Sequence, residues 1–297
     1  MIAALVAAAA LLVADAAPVD RMIDAAGTTL HIVCAGDRRA GSPLVVLEAG
    51  AGNSAATWRD VVGPIAQFAR VCAYDRQNLG TSARVATQPT GAGHAAALHA
   101  LLGAAHEAPP YVIAGHSYGG MIARLFAMAW PREVAGIVLV DSSHEDQIAR
   151  FAVLGDPPAP SPLPAAAATS PSAREEVRLA ATCAELAAAP WHADIPLVVL
   201  SRGLWLKAPP PIPDPLAYAR LGIWQDLHRE LATRSPQGEV VVATGSGHYI
   251  QNDEPQLVID AIRRVVARAR VVESAAIFVG EVEGRAAGAV THYTTLG

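Results

Sequence analysis

Apolar residues in this chain come in short blocks separated by turn-forming residues. Leu44 to Glu48 (LVVLE) is one such block, bounded by Pro43 and Gly50. A continuous apolar run of that length between breakers marks a strand buried on both faces. Val71 to Tyr74, Tyr111 to Ala114, Ile137 to Val140, Leu197 to Leu200 and Glu239 to Ala243 have the same character. Ahead of them, Arg21 to Ala25 and Thr28 to Ala35 read as two strands joined by a turn at Gly27. Helical spacing fills the intervals at Ala55 to Phe68, His94 to Ala105, Tyr118 to Trp130 and Pro255 to Ala269. Pro255 suits the first turn of the last helix, with Asp253 or Glu254 near its cap. Strands alternating with helices predict an α/β fold with a mostly parallel sheet covered on both sides.

Two stretches break the alternation. Ser142 to Pro196 holds a Pro/Ala-rich segment and a helical run from Arg174 to Ala189. Arg202 to Gly238 holds KAPPPIPDP and a helical run from Leu216 to Thr233. Neither supplies a strand. A loop as long as the first marks a lid, cap or mobile segment. The stretch after Arg270 matches no element of the pattern, and no internal repeat is visible.

Composition narrows the class. The chain has 297 residues, of which 52% are hydrophobic and 16% charged, against roughly 25% charged in an average soluble protein. That is too apolar for disorder. Lys+Arg is 22 and Asp+Glu 27, a net charge of −5, with Lys207 the only lysine. No basic cluster offers a nucleic-acid footprint. Mean hydropathy is +0.30, yet no stretch reaches the ~18 apolar residues of a membrane span.

Residues 1–17 combine the apolar run Ile2 to Val13 with Ala14-Asp15-Ala16, a small-x-small cleavage pattern. Export as a signal peptide or N-terminal anchor is the expectation. A basic segment before the run is missing, since the first Arg is Arg21. A mis-assigned start or a cytoplasmic helix therefore stays as an alternative. Cys34, Cys72 and Cys183 have neither CxxC nor zinc-finger spacing, so no metal site is expected.

Gly115-His116-Ser117-Tyr118-Gly119 is a GxSxG motif with a predicted strand directly before it and a predicted helix starting at it. That setting is what a nucleophile elbow requires. A sharp turn lifts the Ser117 hydroxyl clear, and Gly115, Gly119 and Gly120 remove side chains that would collide with neighbouring elements. With LEAGAGNSAATW, AYDRQNLGTS and GSGHYIQNDEP after the third, fourth and last strands, the chain resembles the α/β-hydrolase superfamily, in its serine hydrolase and esterase-like members. The resemblance spans roughly residues 21–270.

It implies an eight-stranded, mostly parallel sheet with a cap inserted after strand 6. The hydrolase domain would run over residues 18–270, with a cap at about 145–195, a second insertion at about 203–238, and an extension at 271–297 of no assigned role. It implies His248, between the last strand and last helix, as the base. Many members carry the acid after the seventh strand, but Ile195 to Pro213 contains no Asp or Glu. The other known position, the end of the sixth strand, holds Asp141. Its alternative role is a cap for the Ser142-Ser143 turn, and Glu145, Asp146 and Asp214 are the fallback acids. Ala51 (with Gly50 next) and Tyr118 are the implied oxyanion-hole amides. His116 is expected to pack beneath the elbow, and His144 to lie close to the acid. Asp75 and Arg76 would tie the loop below the site. The fold also places Cys34 and Cys72 on neighbouring antiparallel strands, as a disulfide or as two buried thiols.

The expected activity is cleavage of a carboxylic ester or related acyl bond through an acyl-enzyme, on a small-molecule substrate, with no cofactor. Peptidase, C–C hydrolase and cofactor-free haloperoxidase chemistry share the fold, and so do non-catalytic binding proteins. Trp191, Trp205 and Trp224 lie in the two insertions, where they either line an acyl pocket or pack the cap.

Overall fold

The computed structural model describes residues 19–86, 88–155, 178–188, 191–206 and 215–269. The export segment, the Pro/Ala-rich stretch, the KAPPPIPDP stretch and the C-terminal extension lie outside these residues.

Eight strands form one sheet: β1 (Val19–Ala25), β2 (Thr28–Ala35), β3 (Leu44–Glu48), β4 (Val71–Tyr74), β5 (Tyr111–His116), β6 (Val134–Val140), β7 (Leu197–Arg202) and β8 (Gly238–Ala243). Their order is β1-β2-β4-β3-β5-β6-β7-β8. β1 and β2 pair antiparallel, as do β2 and β4, and every other pairing is parallel. The eight expected strands and their mixed directions are all present.

β3, β5 and β7 are buried at every position, because both sheet faces are covered. Successive side chains of a strand point to opposite faces, and the core divides accordingly. Leu44, Val46, Ile113, Leu139 and Val199 belong to one cluster with Leu98 and Leu101 of α2 (Gly91–Ala104) and Ile122 and Phe126 of α3 (Tyr118–Ala129). Val45, Leu47, Val112, Val138 and Val198 belong to the other. They meet Val61 and Ile65 of α1 (Arg59–Ala66) and Val258, Ile262 and Val265 of the last helix, over 255–269.

The last helix begins at 255 as the pattern expects, while two others depart from it. The run expected from Ala55 begins as a 3₁₀ turn, Ala55–Trp58, before α1. α2 begins at Gly91 rather than His94, capped by the Thr90 hydroxyl, which accepts from the Gly93 amide at 3.5 Å. The insertions contribute α4 (Gln147–Ala152), α5 (Leu179–Ala188) and α6 (Pro215–Ala232). A separate short helix, α7 (Ile250–Asp253), precedes the last one. The break falls at Glu254, with φ −132° and ψ 61°, because a proline at 255 disfavours helical backbone in the residue before it.

Cys34 and Cys72 sit directly opposite each other across β2 and β4, with Cα atoms 4.1 Å apart, and are joined in a disulfide. Cys183 is free.

Candidate active site

β5 runs into α3 with Ser117 as the single residue between them. Its backbone takes φ 54° and ψ −121°, a left-handed turn that reverses the chain within one residue. The close approach needs glycine on either side. A Cβ on Gly119 would lie 2.4 Å from the Glu48 carbonyl oxygen, and one on Gly115 2.5 Å from that of Gly119. Ser117 is pinned by its amide, which donates to the Val140 carbonyl at 3.1 Å, and by its carbonyl, which accepts from Gly120 and Ser143.

His248 arrives from the loop after β8. Its Nε2 lies 3.0 Å from Ser117 Oγ and its Nδ1 2.6 Å from Asp141 Oδ2. The three residues are thus in one hydrogen-bonded line although 131 and 107 positions separate His248 from the other two. The His116 ring lies against the His248 ring, with centroids 4.7 Å apart, and its Nε2 donates to the His248 carbonyl at 2.8 Å. Burial pushes the His116 imidazole down to about 3, so it stays neutral and serves as a fixed brace beneath the elbow, as expected.

Asp141 follows β6 with a left-handed φ of 46°. Its carboxylate is fully buried and does not cap the Ser142-Ser143 turn. Oδ1 accepts from the Arg202 main-chain amide at 3.0 Å and from Trp224 Nε1 at 2.7 Å, and Oδ2 accepts from Arg202 Nε at 2.6 Å. Burial pushes this carboxyl upward, but the His248 hydrogen bond and the Arg202 charge outweigh it and hold it well below the usual range. The fallback acids are elsewhere. Glu145 pairs with Arg124 at 2.6 Å and Arg234 at 3.1 Å, Asp146 is exposed at the start of α4, and Asp214 lies outside the described residues. His144 turns to the Asp146 amide, which donates to its Nδ1 at 3.0 Å. Burial pushes it down to about 4.

The loop after β3 is held from below. Arg76 donates to the carbonyls of Ala49 at 2.6 Å and Gly50 at 2.7 Å and pairs with buried Glu48, which also accepts from the Tyr74 hydroxyl. Asp75 accepts from the amides of Ala55 and Thr81 and faces His31 Nδ1. These are the loop ties expected of Asp75 and Arg76. The first turn of α3, which carries the Tyr118 amide, packs on the Glu48–Ala49 backbone. Among the described residues, no carbonyl accepts from the Ala51 amide.

The insertions supply residues that sequence reasoning did not single out. Arg202, the last residue of β7, packs its guanidinium over Trp205 and Trp224, 4.9 and 4.8 Å from the ring centroids. Phe151 of α4 stacks on Trp224 at 6.0 Å. His228 of α6 is buried, with Nε2 3.0 Å from the Ser142 carbonyl. Trp191 is buried in the core cluster that also holds residues of α2 and α3. The absence of an acid on β7, together with Trp205 and Trp224 in the insertion after it, was the sequence signal pointing toward this corner.

His144, Asp146 and Glu230 bring ligand-type atoms within 4.8 Å of one another. However, the Asp146 amide occupies His144 Nδ1 and Arg150 lies 4.0 Å from Glu230, so we assign no metal there. A groove of about 420 Å³ lined by Pro43, Pro110, Arg132 and Pro196 opens at the other end of the strands from Ser117.

A family model described as "Alpha/beta hydrolase family" matches residues 44–261. YqjL of Bacillus subtilis (strain 168), described as uncharacterized, is 29% identical over 226 residues, covering 73% of this chain and 81% of its own. A thermophilic esterase from Thermogutta terrifontis superimposes with a TM-score of 0.59 at 19% identity, over 86% of this chain and all of its own. The epoxide hydrolase VrEH1 from Vigna radiata gives 0.62 at 15% identity, over 83% and 97%. At those identities the two structures speak for the fold alone. Among the described residues no helix is long and apolar enough to cross a membrane.

Proposed function

This chain belongs to the α/β hydrolase family, and from that premise we propose that it is a serine hydrolase that cleaves a carboxylic ester or related acyl bond through an acyl-enzyme. The observation that carries the proposal is the continuous line from Asp141 through His248 to Ser117 Oγ, at 2.6 and 3.0 Å. In this reading His248 Nε2 takes the Ser117 proton as Oγ attacks the acyl carbon. Asp141 holds the tautomer in which Nε2 is free to accept and stabilises the imidazolium that forms. The Tyr118 amide, first in α3, and the unclaimed Ala51 amide receive the oxyanion. Their aim is preset because Arg76 fixes the carbonyls of the Ala49–Gly50 segment. His248 then gives its proton to the leaving alcohol, and water, deprotonated by the same imidazole, releases the acid.

A serine at the elbow supports this chemistry over epoxide opening, which in this superfamily uses an aspartate there. The first insertion, at about 145–195, is the proposed cap, and Phe151 of its α4 packs with Trp205 and Trp224 in an aromatic cluster. Export is part of the proposal: the apolar run Ile2 to Val13 and the Cys34–Cys72 disulfide both suit an oxidising compartment.

Fluorophosphonate labelling tests the reaction class. Wild type labels and Ser117→Ala does not; an unlabelled wild type overturns the proposal. A panel of p-nitrophenyl esters of increasing acyl length tests the bond class, and no turnover of any of them overturns ester cleavage.

A further inference from the structure

The mechanism above does not use Arg202, yet this side chain touches both other partners of the nucleophile. It stands at the end of β7, the position where the family resemblance called for an acid and this sequence offers none. Arg202 is 8% exposed, its guanidinium is flanked by Trp205 and Trp224, and its carbonyl accepts from Gln225 of α6 at 3.1 Å. Three of its nitrogens converge on one spot. The main-chain amide reaches Asp141 Oδ1, Nε reaches Oδ2, and Nη2 lies between Oδ2 at 2.6 Å and His248 Nδ1 at 2.7 Å.

An ionised carboxylate has about four acceptor positions. At Asp141, Oδ1 accepts from the Arg202 amide and Trp224 Nε1, and Oδ2 lies 2.6 Å from both Nε and Nη2 of Arg202, all groups that can only donate. Oδ2 also faces His248 Nδ1 at 2.6 Å. With the carboxylate held there, Nδ1 carries the ring proton and Nε2 presents its lone pair to Ser117. The position of Nη2 makes that hold consequential. If Asp141 swung away, Nη2 would donate to Nδ1, the ring proton would move to Nε2, and no base would face the serine. The same arginine therefore anchors the acid and, when the anchor slips, replaces it.

We propose that Arg202 is a positioning residue for this site, acting with Trp224 to clamp Asp141 so that His248 keeps its proton on Nδ1. Trp224 lies on α6, which packs against β7 and β8, so the clamp also ties that helix to the acid. This rests on the serine-hydrolase reading.

Arg202→Met, Arg202→Ala and Trp224→Phe test it on the full-length protein. Trp224→Phe keeps an aromatic ring at the position and removes the Nε1 donor along with part of the indole. The expected loss in kcat is about 100-fold for the arginine variants, within the range general-base catalysis contributes, and smaller for Trp224→Phe, with KM and the melting temperature little changed. Guanidinium at low concentration restores part of the kcat of Arg202→Ala, and urea at the same concentration does not. The low-field proton resonance of His248 Nδ1–H, present in wild type, is lost or shifted in all three variants. An undisturbed resonance with wild-type kcat overturns the proposal. So does a loss of kcat that follows loss of folded protein and is not restored by guanidinium. Failure of the underlying reading looks different: wild type would not take up fluorophosphonate, while the resonance would still depend on Arg202.

Discussion

Ser117 and Asp141 are both non-glycine residues with left-handed backbone, at φ 54° and 46°. Such residues cost on the order of 1–3 kcal/mol each and persist only where the surroundings over-determine them. Here they do: the Ser117 amide is held by Val140 and the Asp141 amide by Leu200 at 2.8 Å. Asp141→Asn keeps most of this backbone frame but replaces one acceptor with a donor facing donors. Its kcat on an ester substrate should fall about 10⁴-fold while circular dichroism and the melting curve stay native; near wild-type turnover would remove Asp141 from the proposed triad. The glycines are equally specific. A methyl on Gly119 meets the backbone oxygens of Glu48 and Ala49 at 2.4 and 2.5 Å, and backbone cannot step aside as a side chain can. Gly119→Ala should destabilise the fold by about 1–3 kcal/mol, the usual cost of overpacking, read as a lower urea midpoint; an unchanged midpoint would mean that the elbow is looser than its contacts imply.

Between elements, the outer antiparallel strands depend on a covalent tie. The Cys34–Cys72 disulfide closes a 38-residue separation between β2 and β4. A cross-link of that span contributes about 2–4 kcal/mol, chiefly by restricting the unfolded chain. The double variant Cys34→Ala/Cys72→Ala should lose that much in urea titration, with ester kcat almost unchanged because neither sulfur is near Ser117. Equal stability of reduced and oxidised protein would contradict this. On the parallel side, no such tie exists among the described residues, and strands are held by burial. β7 illustrates the coupling: its apolar run is core, while its last residue, Arg202, reaches Asp141 on β6 and lies against Trp224 of α6. One element thus carries packing at one end and site geometry at the other.

For the molecule as a whole, the buried histidines set the response to acid. Burial pushes His94 and His116 down to about 3 and His144 to about 4, from an ordinary value of 6.5. All three stay neutral in the folded protein over a range in which the unfolded chain binds protons. Stability is then full above about pH 6.5 and is lost as pH falls toward 4. Asp141, held low, adds a further loss below its unfolded value. At pH 5 each of the three histidines should cost about 2 kcal/mol relative to pH 7. Urea midpoints measured from pH 7 to 4.5 should fall steadily, and a flat profile would show that these imidazoles are protonated in the folded state.

The sequence by itself determined the strand pattern and the elbow at Ser117, while the resemblance pointed to His248 and Asp141 with other acids left open. Apolar blocks between breakers identify strands because a doubly covered sheet requires them, and β3, β5 and β7 are buried along their whole length. Ser117 and Asp141 were legible because each directly follows a strand, and His248 because the resemblance places a base in the loop between the last strand and the last helix. Boundaries such as the start of α2 at Gly91 rather than His94 were less legible, since the helix pattern frays where alanine and glycine carry little periodicity. What only the tertiary structure decided was the company these residues keep. Nothing local marks Arg202 and Trp224 as partners of Asp141, because the contacts join residues 61 and 83 positions apart. The Cys34–Cys72 pairing was likewise open until the register of β2 on β4 set the two side by side. Periodicity reports which way a residue faces, while the identity of its neighbour is a property of the packed chain.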